Sequence, residues 1–306
     1  MGNLQVQCRG KTHNEIEFDH RQNVYLPNET ISGHVSHLQA TNASLVLTGV
    51  ISFRKRKRHG LEKVQITFFT TECPLTSHDK QNFQLKLDED LPPSFNDMST
   101  YPNVTYTINL LSGNSKRQTL VSIPICVCPR ITIDRPLLLT PLFFGPIENQ
   151  STNLKLEVKI NRAIFTFDEL IQIFYELQNP KQILILKTEI SLGVYYTIQS
   201  NVYQNDISTG FENASNISSR NRLIRNKVLL NIPHKIYLPP TFKFQYEHEN
   251  DGLSFQLNIE YKIQFKVFFG DNDSLWQVDI PIVLCNEKLN LDKHEQNDFV
   301  VNTNLN

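Results

Sequence analysis

Three short motifs occur twice in this chain, in the same order, and that repetition limits the possible folds more than any other feature. Leu91-Pro92-Pro93-Ser94-Phe95 returns as Leu238-Pro239-Pro240-Thr241-Phe242. Val104-Thr105-Tyr106-Thr107-Ile108 returns as Ile259-Glu260-Tyr261-Lys262-Ile263. Val121-Ser122-Ile123-Pro124-Ile125-Cys126-Val127-Cys128 returns as Val278-Asp279-Ile280-Pro281-Ile282-Val283-Leu284-Cys285. The offsets are 147, 155 and 157 residues. Ordered recurrence points to a duplicated domain, and the drifting offset places insertions in the loops between motifs. A chain of 306 residues has room for two domains with sizeable cores.

Within each half the spacing predicts strands. Leu154, Leu156, Val158 and Ile160 alternate with Lys155, Glu157 and Lys159. Tyr261 to Val267 and Val104 to Leu110 alternate in the same way. Period two puts one face on a core and the other in water. Further strands are predicted at Ile31–His37, Leu45–Phe53, Val64–Thr70, Phe83–Leu87, Gln182–Ile190 and Val228–Ile232. Residues 168–177 also fit a helix through Leu170, Ile171, Phe174 and Leu177. Strand is expected there because the neighbours alternate and because Glu29-Thr30-Ile31 occupies a similar place in the first half. Pro124 and Pro281 cannot donate to a ladder, so each belongs at an edge or a bulge. Many short strands joined by turn chemistry give an all-β chain of two tandem antiparallel immunoglobulin-like β-sandwich domains. The expected division is 1–133 and 134–286, the latter including its apolar, Pro-rich opening segment, with a polar, mobile tail at 287–306.

The charges nearly cancel, 30 Lys+Arg against 31 Asp+Glu, so nucleic acid is not an expected partner. Five cysteines (Cys8, Cys73, Cys126, Cys128, Cys285) and an N-terminus without an apolar signal core predict free thiols in a cytoplasmic protein. Cys126 and Cys128 are expected to point to opposite sides of one strand. His34 and His37 fall on opposite faces of theirs, so neither pair suggests a metal site. No phosphate-binding glycine loop, nucleophile elbow or zincin helix occurs, and no catalytic residue, metal or cofactor is expected.

Val24-Tyr25-Leu26-Pro27-Asn28-Glu29-Thr30-Ile31-Ser32-Gly33-His34-Val35 resembles the opening of arrestin-fold proteins, which read Tyr-x-Pro-Gly-Glu-x-Ile-x-Gly-x-Val there. Phe83 through Ile108 is similar to the middle of their first domain, and Ile232 through Leu284 to the end of their second. The nearest branch is the alpha-arrestins, or arrestin domain-containing proteins, and the resemblance covers about Phe18 to Leu284. Asn28 stands where the family has Gly, and Asn accepts the left-handed conformation at that turn position. Phe167-Asp168-Glu169 replaces the family's second Pro-Gly-Glu, so that turn is expected to differ.

The resemblance implies a non-enzymatic cytosolic adaptor in protein transport and receptor trafficking. It would bind membrane-protein cytoplasmic tails and be recruited to the plasma membrane or endosomes. A retromer-type sorting subunit of the same fold remains open, as does a β-sandwich enzyme or carbohydrate-binding module, since fold does not fix function. The chain contains no Pro-Pro-x-Tyr motif, so WW-domain ubiquitin ligases are not expected partners. The sharpest functional feature is Arg54-Lys55-Arg56-Lys57-Arg58, followed by His59-Gly60. Five consecutive cations must stay solvated. They suit a hairpin tip and form the candidate site for anionic membrane, at about 1 kcal/mol per cation near an acidic leaflet.

Overall fold

The computed structural model describes residues 15–19, 24–36, 42–58, 60–76, 80–96, 102–113, 117–131, 140–199, 201–209, 215–232, 238–247, 254–270 and 274–286. Among them the structure is all-β, with no helix, and its strands form several sheets. The chain divides into two compact units. The first comprises 1–129 with 195–204 and 236–259; the second comprises 130–194, 205–235 and 260–306. The tail at 287–306 lies outside the described residues.

Eight strands come from the first part of the chain: β1 (Glu15–Phe18), β2 (Val24–Tyr25), β3 (Thr30–Ser36), β4 (Ala43–Lys57), β5 (Gly60–Leu75), β6 (Lys80–Lys86), β7 (Asn103–Ser112) and β8 (Gln118–Val127). They form a three-stranded sheet, β1-β3-β6, and a five-stranded sheet, β2-β8-β7-β4-β5. Among the described residues the strand pairings of these two sheets are antiparallel except the short parallel pair β2–β8. The expected alternation appears in β7, where Val104, Tyr106, Ile108 and Leu110 are buried while the residues between them are half-exposed. Burying one such side chain contributes about 1.5–3 kcal/mol, so this face anchors the sheet.

The later strands are β9 (Leu142–Glu148), β10 (Lys155–Ile160), β11 (Ile164–Thr166), β12 (Leu170–Gln178), β13 (Ile185–Ile198), β14 (Asn201–Thr209), β15 (Ser215–Ser219), β16 (Leu223–Asn231), β17 (Phe242–Glu247), β18 (Ser254–Phe269) and β19 (Ser274–Cys285). One sheet runs β16-β12-β10-β9; the other runs β11-β19-β18-β13-β14, with β15 paired to β13 and β17 to β18. The ambiguous segment at 168–177 is strand β12, with Ile171, Ile173, Tyr175 and Leu177 buried.

The two halves repeat each other's register. Thr107 faces Pro124 across β7–β8, as Lys262 faces Pro281 across β18–β19. Two residues past each proline a short parallel strand joins, pairing Val24 with Cys126 and Ile164 with Val283. Among the described residues each proline therefore lies where its strand has one neighbour, a local edge, which is what a residue without an N–H requires.

The turns entering β3 and β12 correct one expectation. Asn28 and Asp168 have φ of 66° and 68°, and Glu29 and Glu169 turn their carboxylates back to the N–H groups of Leu26 (2.8 Å) and Thr166 (2.7 Å). The second turn does not differ from the first. Asp tolerates the left-handed region much as Asn does, and Glu supplies the same cap, so Phe167 replaces Pro27 without changing the form.

The cysteine expectation is also corrected. Residues two apart in a strand share a face. Val127 is fully buried, while Cys126 and Cys128 on either side are half-buried and close enough to influence each other electrostatically. Cys73, Cys126, Cys128 and Cys285 are free thiols, and Cys8 lies outside the described residues.

Candidate functional site

The Leu-Pro-Pro-Ser-Phe block is a structural strap. Leu91, Pro92 and Pro93 are buried, and the Tyr106 hydroxyl donates to the Pro92 carbonyl at 2.7 Å. Ser94 pairs with Val127 twice: its N–H donates to the Val127 carbonyl (2.7 Å), and its Oγ accepts from the Val127 N–H (2.8 Å). Phe95 bridges to Val104 and stacks on Tyr196, with centroids 4.9 Å apart. In the second copy Pro239 and Pro240 are buried as well.

The basic block lies at the far end of the β4–β5 hairpin. Ile51 and Phe53 are buried, and exposure begins at Arg54, where β4 runs past the core. Arg54 faces Lys63, Lys55 faces Glu62, Arg56 faces Leu61 and Lys57 faces Gly60. Gly60 has φ +139°, a backbone that ordinary side chains avoid, and open space around it. Arg54, Lys55 and Arg58 are exposed; the side chains of Arg56 and Lys57 are outside the described set. The Tyr203 phenol donates to the Arg54 carbonyl, fastening the hairpin where it leaves the core. Leu61 is 66% exposed, so the tip combines a cation cluster with one apolar side chain.

A second candidate lies on the outer face of the β16-β12-β10-β9 sheet. One cross-strand row reads Phe143, Lys159, Phe174, Lys227, each residue directly opposite the next. The Lys159 ammonium lies 5.1 Å from the Phe143 centroid, and Lys227 lies 5.1 Å from that of Phe174. Phe143 is 71% exposed and Phe174 39%. In the neighbouring row Glu157 faces Glu176 and Glu176 faces Arg225, with the Arg225 Nε 2.7 Å from a Glu176 oxygen. Arg225, with help from Gln178, holds the Glu176 carboxyl below its ordinary range. A register shift in the β9–β10 pairing between Leu156 and Val158 bends the edge. A Cβ at Gly145, with φ +112°, would run into the Leu156 carbonyl, so only glycine fits this bend. The result is an open hollow of about 660 Å³ lined by Phe143, Phe144, Gly145, Glu157–Lys159, Phe174–Glu176 and Arg225–Lys227.

Sequence reasoning named the hairpin but not this row. The available signal was Phe174, an aromatic residue on the face of β12 that the alternation assigns to water. The partners of that row became visible only once register was known. Among the described residues no cluster of three or more His, Cys, Asp or Glu could hold a metal, and no helix is long and apolar enough to cross a membrane. No protein-family model and no curated protein matches the chain.

Proposed function

We propose that this chain is a non-enzymatic adaptor of the arrestin fold, most like the alpha-arrestins, built as two immunoglobulin-like β-sandwiches in tandem. It acts in the cytoplasm in protein transport and membrane-protein trafficking, binding the cytoplasmic tails of cargo. The observation that carries this reading is the internal equivalence. The order β2-β8-β7-β4-β5 parallels β11-β19-β18-β13-β14, and the prolines, parallel strands and Glu-capped turns recur in register. The repeated motifs lie on equivalent strands of the two sheets, Tyr106 and Pro124 on β7 and β8, Tyr261 and Pro281 on β18 and β19. The basic hairpin supports recruitment: Arg54–Arg58 give a short-ranged attraction to anionic headgroups beside the cargo.

The test is isolation of the full chain from crosslinked membrane fractions, with mass spectrometry of what accompanies it. Integral membrane proteins and trafficking factors are the expected result. Their absence, together with glycan binding or turnover in a substrate screen, would replace the adaptor with a carbohydrate-binding module or a β-sandwich enzyme.

A further inference from the structure

We propose that the hollow on the β16-β12-β10-β9 face is a binding site for an acidic peptide segment with an apolar anchor. The Lys159 and Lys227 ammonium groups are exposed, and neither has a carboxylate within ion-pair distance among the described residues. The strands that carry them are separated by β12, about 10 Å apart across the sheet, and Phe174 stands between the two lysines in register, the Lys159 ammonium lying over Phe143 and that of Lys227 over Phe174. Two carboxylates flanking an apolar side chain match that spacing. Each carboxylate gains a charge-assisted contact, and the apolar group covers exposed ring surface.

The next row, about 7 Å along the strands, holds Glu157 and the paired Glu176 and Arg225. It offers acceptors to peptide N–H groups but repels a continuous anionic surface. The open hollow of about 660 Å³ falls within the usual volume range for ligand clefts. Mixed charge favours a peptide over a lipid leaflet. The inference does not depend on the adaptor reading, because it rests on this face alone.

The test is fluorescence anisotropy of a labelled Gly-Glu-Phe-Glu-Glu-Gly peptide titrated with the full chain, beside versions with Gln for Glu and Ser for Phe. Saturable binding is expected, weakened about tenfold or more by either peptide change and by the double variant Lys159→Gln/Lys227→Gln. The Lys159→Arg/Lys227→Arg variant should retain it, as should a chain with Arg54–Arg58 changed to Ser. Thermal unfolding identifies any variant that fails to fold, and the peptide changes on the native chain then decide. No saturable binding, or binding lost only in the hairpin variant, overturns the proposal. So does binding that passes from the peptide to phosphatidylserine vesicles while keeping its dependence on Lys159 and Lys227.

Discussion

Tyr106 ties two motifs of the first half together. Its ring lies in the core beside Phe68, and its hydroxyl holds the Pro92 carbonyl of the buried strap. Tyr106→Phe leaves that carbonyl without its partner and should cost about 1–3 kcal/mol in urea unfolding at neutral pH. Burial, and to a lesser degree Cys126, raises the phenol well above its ordinary 10.0. The folded chain keeps a proton that the unfolded chain loses, so this stabilisation is complete below pH ~10 and declines as pH rises further. The variant should show a shallower alkaline decline than the parent chain.

The paired turns make a second prediction at this scale. Asn28→Ala and Asp168→Ala keep a Cβ in the left-handed region but remove the short polar group that makes it tolerable there, and should each cost about 1 kcal/mol, whereas glycine, which has no Cβ penalty, should cost less at either position. Glu169 also pairs with Arg162 at 2.7 Å, and that guanidinium side chain is only 13% exposed. Glu169→Ala should therefore destabilise more than Glu29→Ala, because it strands a largely buried charge.

At the level of elements, the hairpin is separable from the core that carries it. Replacing Arg54–Arg58 with serine should leave the fold intact, the exposed Arg54, Lys55 and Arg58 each changing stability by no more than about 0.5 kcal/mol. It should lower binding to phosphatidylserine liposomes, and added salt should reproduce the loss because screening at physiological strength acts within about 8 Å. Unchanged liposome binding would remove the hairpin as a membrane contact. Elements were legible where one face meets water. The alternation of β7, β10 and β18 is visible in the residues alone. The residue pattern predicts a strand ending at Ile190, yet β13 continues to Ile198. From Ile190 to Tyr196 it is buried on both faces, so no polar residue marks every second position. The Phe143–Lys227 row was illegible for another reason: it belongs to four strands, and no single strand encodes which residues its neighbours set beside it.

For the whole molecule, the motif order already implied duplication, and the matching registers of β7–β8 and β18–β19 give that duplication a geometric form. Sequence could not reveal the short parallel strands β2 and β11, because two or three residues carry no period. The thiols allow a global check. Cys73, Cys126, Cys128 and Cys285 form no disulfide, so alkylation of the unfolded chain without reductant should label all four, and a stoichiometric internal disulfide would contradict the structure. Those short parallel strands also bear on how the protein is made. β2 emerges early from the ribosome, yet its partner β8 closes that half of the repeat; β11 waits in the same way for β19. Each half can assemble its hairpins during translation, but the final stitch must follow synthesis of its last strand. A nascent chain halted before Ser274, and so lacking β19, should hold a protease-resistant first half and a second half whose β11 is still open to cleavage.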